Sequence, residues 1–255
     1  MRLQPVLKKY IWGVEDWILS AHPDGDNIII DGDYGGLTLS QAVKINPGIV
    51  SKNFEHEKNF PLLIKIINAA APLSVQVHPN KTEFWYIIDC EPGAFLYLGF
   101  KDNITRNEFE RSISDNSLPE LLNKIEVRKG DTFFIPSGVV HSINAGIKLA
   151  EIQENSNITY RIYDYGRGRE LHIKQALDVV KLSPPSSKIP GADGDFLVRC
   201  GKFSVKKIFA NKGVVCESQD KFAFALSLSG GYNIFIPACS RDFYIDDGEF
   251  LLCTV

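Results

Sequence analysis

Short apolar and alternating runs dominate the chain and predict a mainly β protein. The runs have the length and the β-branched and aromatic content of strands, and they include LLIKIINAA near residue 62, EFWYIID near 83, AFLYLGF near 94, DTFFIP near 131 and KLAEIQ near 148. Turn signals such as DGD, EPG, KGD and PSG separate them. Many short strands with turns at this spacing predict a β-sandwich or a β-barrel.

Four segments predict short helices among the strands. Thr105 and Glu108 form a capping-box pattern ahead of FERSIS, in which each side chain can bond a backbone N–H at the helix start. SLPELLNKI predicts a second helix with Pro119 near its start, where the missing N–H does no harm. TLSQAVKI near residue 38 and HIKQALDVV near residue 172 predict the other two.

The stretch KLSPPSSKIPGADGD, residues 181–195, is rich in Pro, Ser and Gly and predicts a linker. We therefore expect a first domain over residues 1–180 and a second β unit over residues 196–255. No histidine follows His172, so histidine-based chemistry belongs to the first domain. The second unit is expected to have a structural or gating role.

Composition narrows the class of protein. A net charge of −3 without a Lys/Arg block argues against a nucleic-acid partner, and no apolar run approaches the roughly 20 residues that span a bilayer. The start, MRLQPVLKKYIWG, has no apolar region of a secretion signal. Five cysteines without a CxxC pair, at positions 90, 200, 216, 239 and 253, are typical of free thiols in a reducing compartment. We expect a cytoplasmic protein.

The stretch SVQVHPNKTEFWY brings Gln76, His78 and Glu83 within eight positions. Alternate residues of a strand share a face, so Gln76 and His78 are expected to point the same way. If HPN breaks the strand and EFWYIID returns beside it, Glu83 lies near His78 across a hairpin turn. GDTFFIPSGVVHSIN adds His141 after a tight Pro-Ser-Gly turn. Imidazoles and a carboxylate are the ligands expected for Zn²⁺, Fe²⁺ or Mn²⁺.

A single histidine in a strand is more often a hydrogen-bonded polar residue than a metal ligand. The metal hypothesis therefore rests on the combination of the two spaced patterns. His22 and His56 lie in polar loop contexts and His172 lies near a helix start, so these three are not candidates.

The two patterns resemble the motifs of the cupin family, a jelly-roll β-barrel that carries a metal inside. The matching positions are QVH, Glu83, Gly130, Pro136, Gly138, His141 and Asn144. Longer segments, from PVLKKYIWG through FPLLIKIINAAAPLSVQVHPN, KTEFWYIIDCEPGA and TYRIYDYGR, are similar to type I mannose-6-phosphate isomerases of the short bacterial form. The similarity covers nearly the whole chain. It implies a metal-binding cupin barrel followed by a reduced cupin-like β unit, and a zinc-dependent interconversion of mannose 6-phosphate and fructose 6-phosphate.

The resemblance also implies roles for individual residues. The positions that match the family's zinc ligands, for one Zn²⁺ per chain, are Gln76, His78, Glu83 and His141. Lys81 and Arg161 match basic residues placed at the substrate, and Lys65 matches a lysine implicated in opening the sugar ring. The chain departs from the family in three respects. Asn80 alone separates Pro79 from Lys81 where a long insertion is usual, and Asn157 stands where aspartate is frequent. The N-terminal segment and the C-terminal hairpin before FIPACS are also shortened.

Aldose–ketose isomerisation needs a group that removes a proton next to the carbonyl, and Glu151, Lys81 or a metal-bound water could do so. Arg161 is our choice for stabilising the developing oxyanion. Arg161, Arg167 and Arg169 could also bind the phosphate, although a solvated surface position is the favoured interpretation for the last two.

Two other functions remain open on the sequence: a different metal-dependent cupin enzyme such as an Fe²⁺ oxygenase, and a non-catalytic sugar-phosphate-binding protein. Both the isomerase hypothesis and the binding-protein hypothesis predict a small-molecule sugar phosphate as the partner. The chain is expected to be a monomer or a homodimer.

Overall fold

The computed structural model describes residues 1–55, 59–211, 214–216, 220–238, 240, 243–245 and 247–255. In the first 180 residues the strands are β1 (Leu3–Gln4), β2 (Val6–Tyr10), β3 (Gly13–Leu19), β4 (Ala21–His22), β5 (Gly25–Asp26), β6 (Ile28–Ile29), β7 (Leu62–Ala69), β8 (Val75–Val77), β9 (Glu83–Cys90), β10 (Phe95–Phe100), β11 (Leu122–Glu126), β12 (Thr132–Ile135), β13 (His141–Ile143), β14 (Ile147–Glu154) and β15 (Tyr160–Tyr163). The later strands are β16 (Phe196–Arg199), β17 (Ser204–Ala210), β18 (Val214–Cys216), β19 (Ala223–Ser227), β20 (Ile234–Ile236), β21 (Phe243–Ile245) and β22 (Gly248–Thr254).

Two antiparallel sheets pack face to face and form the barrel of the first part of the chain. One has the strand order β11-β10-β13-β8-β15, and the other has the order β12-β9-β14-β7-β3-β2. A buried apolar cluster lies between them, with Leu96 and Ile143 from the first sheet against Ile67, Trp85 and Leu149 from the second. The strands predicted near residues 62, 83, 94, 131 and 148 are confirmed as β7, β9, β10, β12 and β14.

Short helices cover the outer face of the five-stranded sheet. They are α2 (Arg106–Ser114), α3 (Leu118–Leu121) and α4 (Ile173–Leu177), while α1 (Leu39–Ile45) and a 3₁₀ turn (Pro47–Ile49) precede β7. Val75 and Val77 of β8 pack outward in one cluster with Phe109 of α2 and Ala176 of α4. Because side chains alternate along a strand, Gln76 between the two valines faces the barrel interior.

The prediction of one helix over SLPELLNKI is wrong in its second half. Helix α3 ends at Leu121, and Leu122 begins β11, which pairs with β10 through Leu122 and Phe100. Leu122 is the buried residue of LNKIE, and it packs against α2. Sheet pairing and burial of Leu122 outweigh the helical preference of this segment, which is a weak determinant.

Replacing Thr105 with alanine is expected to lower the free energy of unfolding by about 1 kcal/mol. The predicted capping box is confirmed: Glu108 N–H donates to Thr105 Oγ1 at 3.2 Å, and Thr105 N–H donates to Glu108 Oε2 at 2.7 Å. Urea unfolding measures the change, and Thr105→Ser is the matched control because it keeps the hydroxyl acceptor. Equal stability of the alanine and wild-type proteins would contradict the capping role.

A third sheet, with the order β16-β17-β22-β19-β20, forms the last part of the chain. Its side chains share one buried cluster with the N-terminal part, in which Phe60 contacts Phe222 at a ring-centroid distance of 5.0 Å. The N-terminus joins it as well, since the Met1 amino group donates to Phe235 O at 2.8 Å. The division into residues 1–180, a linker at 181–195 and a unit at 196–255 stays a prediction.

Two smaller expectations concern cysteines and membrane segments. Cys90, Cys200 and Cys253 are free thiols, whereas Cys239 lies outside the described residues. Within the described part of the chain, no helix is long and apolar enough to cross a bilayer.

Candidate metal and substrate site

Adjacent strands of the five-stranded sheet bring three of the predicted site residues into one row. Gln76 of β8 lies opposite His141 of β13 on one side and opposite Arg161 of β15 on the other. The expected hairpin between β8 and β9 does not form, because Glu83 begins β9 in the other sheet. The short segment after His78 therefore crosses from one sheet to the other, and Glu83 reaches His78 across the barrel interior.

The predicted metal ligands converge in the buried interior. The Nε2 atoms of His78 and His141 are 3.1 Å apart, and His78 Nε2 is 3.2 Å from Glu83 Oε1. His141 Nε2 lies 3.8 Å from Glu83 Oε2, and the Gln76 amide nitrogen lies 3.4 Å from His141 Nε2. One candidate ligand atom from each of the two histidines and the glutamate lies within 4.8 Å of the others. This spacing matches a set of donors around one ion.

The other ring nitrogen of each histidine is bound to a backbone carbonyl. His78 Nδ1 lies 2.9 Å from Ile158 O, and His141 Nδ1 lies 2.9 Å from Val139 O. A carbonyl only accepts, so Nδ1 must carry the proton and Nε2 must carry the lone pair. Burial and the Lys81 ammonium lower the pKa of His78 to about 3, and burial lowers the pKa of His141 despite the Glu83 carboxylate. Both rings are therefore neutral, as metal ligands require.

Glu83 is a fully buried carboxylate with little hydrogen bonding. Lys81 Nζ lies 2.8 Å from Oε1, but neither carboxylate oxygen has a hydrogen bond of good geometry among the described residues. Burial raises the pKa of Glu83, but the Lys81 ammonium outweighs burial and holds that pKa well below its ordinary value. Glu83 is therefore ionised.

Two imidazole lone pairs and a carboxylate facing one another repel unless a cation lies between them. A partly satisfied buried charge is costly, so the arrangement itself favours a bound ion. Rotating the Gln76 side-chain amide by half a turn exchanges the positions of its nitrogen and oxygen, so that the oxygen becomes a fourth donor to the ion. Two nitrogen donors, a carboxylate and an amide oxygen fit a divalent transition metal such as Zn²⁺. The residues present therefore fit the metal that the sequence predicts.

A second row of polar side chains crosses the six-stranded sheet beside the metal cluster. Lys65 of β7 lies opposite Glu151 of β14 and opposite Trp17 of β3, and Glu151 lies opposite Trp85 of β9. Lys65 Nζ donates to Glu151 Oε1 at 2.9 Å, and Trp85 Nε1–H donates to Glu151 Oε2 at 2.9 Å. These bonds fix the Glu151 carboxylate in a buried position.

Glu15 completes this row, although nothing in the sequence analysis singled it out. Its Oε2 lies 3.8 Å from Lys65 Nζ and accepts from Trp17 Nε1–H at 2.7 Å. The side-chain alternation of a strand was the available signal, because it puts Glu15 on the same inward face as Trp17.

The charge states of Glu151 and Lys65 follow from burial and from their neighbours. Burial and the Glu83 carboxylate raise the pKa of Glu151 above its ordinary value, although Lys65 and Lys81 oppose them. Burial lowers the pKa of Lys65, but the Glu151 and Glu15 carboxylates outweigh it and leave that pKa raised. Lys65 is thus a stable ammonium, and Glu151 can exchange a proton closer to neutral pH than an ordinary glutamate.

Both rows open onto one cavity of about 220 Å³. Its wall includes Gln76 from the metal cluster and four cationic side chains, Lys65, Lys81, Arg161 and Arg169, against two carboxylates, Glu15 and Glu151. Lys81 is held by the Gln153 amide oxygen at 3.1 Å as well as by Glu83. An excess of positive charge on the wall favours an anionic ligand.

The three candidate arginines differ in their surroundings. Arg161 NH1 donates to Glu170 O at 2.7 Å, and its buried Nε has no partner among the described residues. Arg167 donates to Asp164 and to Pro72 O, and it does not line the cavity. Arg169 lines the cavity, with its guanidinium held by both oxygens of Asp164. Burial and the nearby Arg169 lower the pKa of Arg161.

The histidines set aside in the sequence analysis lie outside the metal cluster where they are described. His22 contacts the Trp17 ring edge and Asp24, and His172 Nδ1 accepts from Arg161 N–H at 3.2 Å. His56 lies outside the described residues. Asn157 lines the cavity and donates to Asp24 Oδ2 at 2.9 Å.

The comparisons with known proteins agree on one family. The family model "Phosphomannose isomerase type I, catalytic domain" matches residues 13–96. The probable mannose-6-phosphate isomerase GmuF of Bacillus subtilis (strain 168) is 34% identical, over 91% of this chain and 86% of its own length. The crystal structure of the mannose 6-phosphate isomerase from Bacillus subtilis superposes with a TM-score of 0.90 at 26% identity, over 100% of this chain and 98% of that one.

A more distant match shares the fold alone. It is a mannose 6-phosphate isomerase crystallised with zinc and yttrium, with a TM-score of 0.75 at 16% identity over 99% of this chain and 98% of that chain. These matches confirm the expected mainly β, cupin-type fold with a few short helices. By its identity to GmuF over most of both chains and by the matching family model, the chain belongs to the family of type I mannose-6-phosphate isomerases.

Proposed function

We propose that this enzyme interconverts mannose 6-phosphate and fructose 6-phosphate with the aid of one bound Zn²⁺. The observation that carries the proposal is the position of a buried His–Glu–His cluster beside a cavity whose wall has more cations than carboxylates. The first feature provides a metal centre and the second accommodates a phosphorylated sugar. Family membership supports the same reaction.

The residues that would hold the ion are Gln76, His78, Glu83 and His141. When bound there, zinc supplies Lewis-acid stabilisation of negative charge that develops on the substrate oxygens. The chain itself keeps the donors ready: the backbone carbonyls of Ile158 and Val139 orient the two imidazoles, and Lys81 balances part of the charge of Glu83.

Glu151 carries the proton between C1 and C2 of the open-chain sugar. Each of its oxygens accepts one hydrogen bond and retains a second lone pair for the substrate. The raised pKa makes Glu151 a stronger base than an ordinary glutamate, and a better match for returning the proton to the neighbouring carbon. Lys81 is a less suitable base, because it is an ammonium held between Glu83 and Gln153.

The cationic side chains bind the anionic parts of the substrate. Arg161 lies next to Gln76 in the sheet. Its Nε–H, which has no partner among the described residues, is a donor for a substrate oxygen near the metal. Arg169 is held in place by Asp164 at the cavity wall and is a candidate for the phosphate. This position makes Arg169 a stronger phosphate candidate than Arg167, which is committed to Asp164 and Pro72.

The alternative of an Fe²⁺ oxygenase uses the same donors, since two histidines and a carboxylate also bind iron. An excess of lysine and arginine at the cavity favours the sugar phosphate over a neutral oxygenase substrate. A binding protein does not need a proton-transfer group, whereas a buried carboxyl with a raised pKa, such as Glu151, is typical of a catalytic site.

The test is a coupled isomerase assay on mannose 6-phosphate with the zinc-loaded protein. We expect turnover that a chelator abolishes and that added Zn²⁺ restores, with no oxygen consumption by zinc-loaded or iron-loaded protein. Ligand binding without turnover would contradict the enzymatic proposal, and oxygen consumption with the iron-loaded protein would favour the oxygenase.

The proposal also includes four properties that the sequence predicts: one zinc ion per chain, a cytoplasmic location, a monomeric or homodimeric state, and a division into two domains by a linker at residues 181–195. Metal analysis gives the zinc stoichiometry, and light scattering gives the oligomeric state.

A further inference from the structure

Hexose phosphates are predominantly cyclic in water, so the isomerase reaction needs a step before any proton leaves carbon. The hemiacetal must open, which requires an acceptor for the proton on O1 and a donor for the ring oxygen O5. Glu151 is assigned to the carbon-bound proton, so ring opening requires another pair of groups. The two oxygens are attached to the same carbon, and an acceptor and a donor a few ångströms apart can reach both.

Glu15 and Lys65 form such a pair on the cavity wall. Glu15 Oε2 lies 3.8 Å from Lys65 Nζ, and both side chains line the cavity. Trp17 Nε1–H orients the Glu15 carboxylate through Oε2, and in the described part of the chain no hydrogen bond to Oε1 is found. A carboxylate oriented through one oxygen presents the other to a ligand in the cavity.

The other carboxylates near the cavity already have partners or a role of their own. Glu83 belongs to the metal cluster, and Asp164 is paired with Arg167 and Arg169. Asn157 donates to Asp24, and an amide cannot accept a proton as a base. Glu15 is therefore the carboxylate next to Lys65 that has no other assignment.

We infer that Glu15 accepts the O1 proton when the sugar ring opens, and that it acts beside Lys65, the lysine for which the family resemblance implies a part in this step, as the donor to O5. This inference rests on the proposed isomerase function and extends it to a residue that neither the sequence nor the comparisons single out. The O1–H electron pair forms the C1=O1 bond, the C1–O5 bond breaks, and O5 takes a proton from the Lys65 ammonium. The proton on Glu15 then passes to the Lys65 amine, which restores both groups without a net change in protons.

Lys65 suits the donor role although it is a stable ammonium. The departing ring oxygen is an alkoxide, which is more basic than an amine, so proton transfer from the ammonium is downhill once C1–O5 begins to break. Glu15 assists ring opening in two ways. It accepts the O1 proton, and it then returns that proton to the Lys65 amine.

The test measures ring opening separately from isomerisation in the zinc-loaded enzyme. NMR exchange spectroscopy follows the interconversion of the α and β anomers of mannose 6-phosphate, and the coupled assay follows fructose 6-phosphate. We expect Glu15→Gln to lower enzyme-catalysed anomer exchange and kcat together, by about a hundredfold, within the range for general acid–base groups. Glu15→Asp should recover part of both rates, and zinc content should not change.

The matched control is Asp16→Asn, the next residue of β3, whose side chain points away from the cavity. Glu151→Gln provides the second comparison, since it should lose isomerisation while anomer exchange persists. If Glu15→Gln does not fold, Trp17→Phe removes the N–H donor to Glu15 and should reduce anomer exchange. Suppose that the wild-type enzyme isomerises. Anomer exchange at the wild-type rate in the folded Glu15→Gln variant, or in Trp17→Phe where that variant replaces it, would then overturn the ring-opening role. A wild-type enzyme that does not isomerise would instead overturn the proposed function.

Discussion

Replacing His141 with alanine is expected to remove most of the bound zinc and to lower kcat by at least about a thousandfold. Removing one donor leaves His78 and Glu83 with an incomplete coordination shell and opens the buried cluster to water. A metal that stabilises developing charge contributes several kcal/mol, and each 1.36 kcal/mol corresponds to about tenfold in rate. Metal content by mass spectrometry and kcat in the coupled assay measure the two effects.

The matched control for His141→Ala is His22→Ala, which removes a histidine outside the metal cluster. It should keep wild-type zinc content and activity within a few-fold. Circular dichroism should show the same β spectrum for both variants, because the apolar cluster between the two sheets, including the Trp85 ring that His141 contacts, is left in place. Near-wild-type zinc and kcat in His141→Ala would exclude the proposed ligand set.

Replacing Glu151 with glutamine is expected to lower kcat by about 10²–10⁴-fold, which is the usual contribution of a general acid–base group. The amide keeps the shape of the side chain, and its oxygen can still accept from Lys65 or Trp85. It cannot take a proton from carbon. Zinc content should be unchanged, because no atom of Glu151 is among the candidate ligands.

The pH profile gives an independent measurement of the same role. Burial raises the pKa of Glu151, so the base is lost by protonation at a higher pH than for an ordinary glutamate as the pH falls. The acid limb of kcat/KM should therefore lie above the ordinary glutamate range in the wild-type enzyme, and it should disappear from the residual activity of Glu151→Gln.

The matched control for Glu151→Gln is Glu154→Gln, on the same strand. Glu154 contacts Thr82 N and Lys202 rather than the cavity, so its amide should leave kcat unchanged. An unaltered kcat in Glu151→Gln would transfer the base role to another group.

Local patterns in the sequence were sufficient for much of the fold. The capping box at Thr105 and Glu108 formed as predicted because its hydrogen bonds join residues three positions apart. The long apolar strands β7, β9 and β14 were also predictable, since their burial on the sheet follows from composition. LNKIE was mispredicted because its structure depends on pairing with β10, which is distant in sequence.

The predicted ligands lie near one another, but the path of the chain that brings them together was only partly predicted. Gln76 and His78 were expected to share a face, and both do contribute to the cluster. Glu83 was expected beside His78 in a hairpin, but it reaches the cluster from the opposite sheet. Contact between facing sheets depends on the closure of the barrel, which a local turn pattern does not reveal.

By itself, the sequence determined the mainly β class and, through the two motifs, predicted Gln76, His78, Glu83 and His141 as metal ligands. Donor chemistry and strand alternation are properties of the local chain, and they can be recognised without coordinates. Only the tertiary structure decided that Glu15 lies beside Lys65 and that Arg169 reaches the cavity. Those contacts join residues far apart in the chain, and they exist because the register between neighbouring strands and the packing of the two sheets bring the side chains to one cavity.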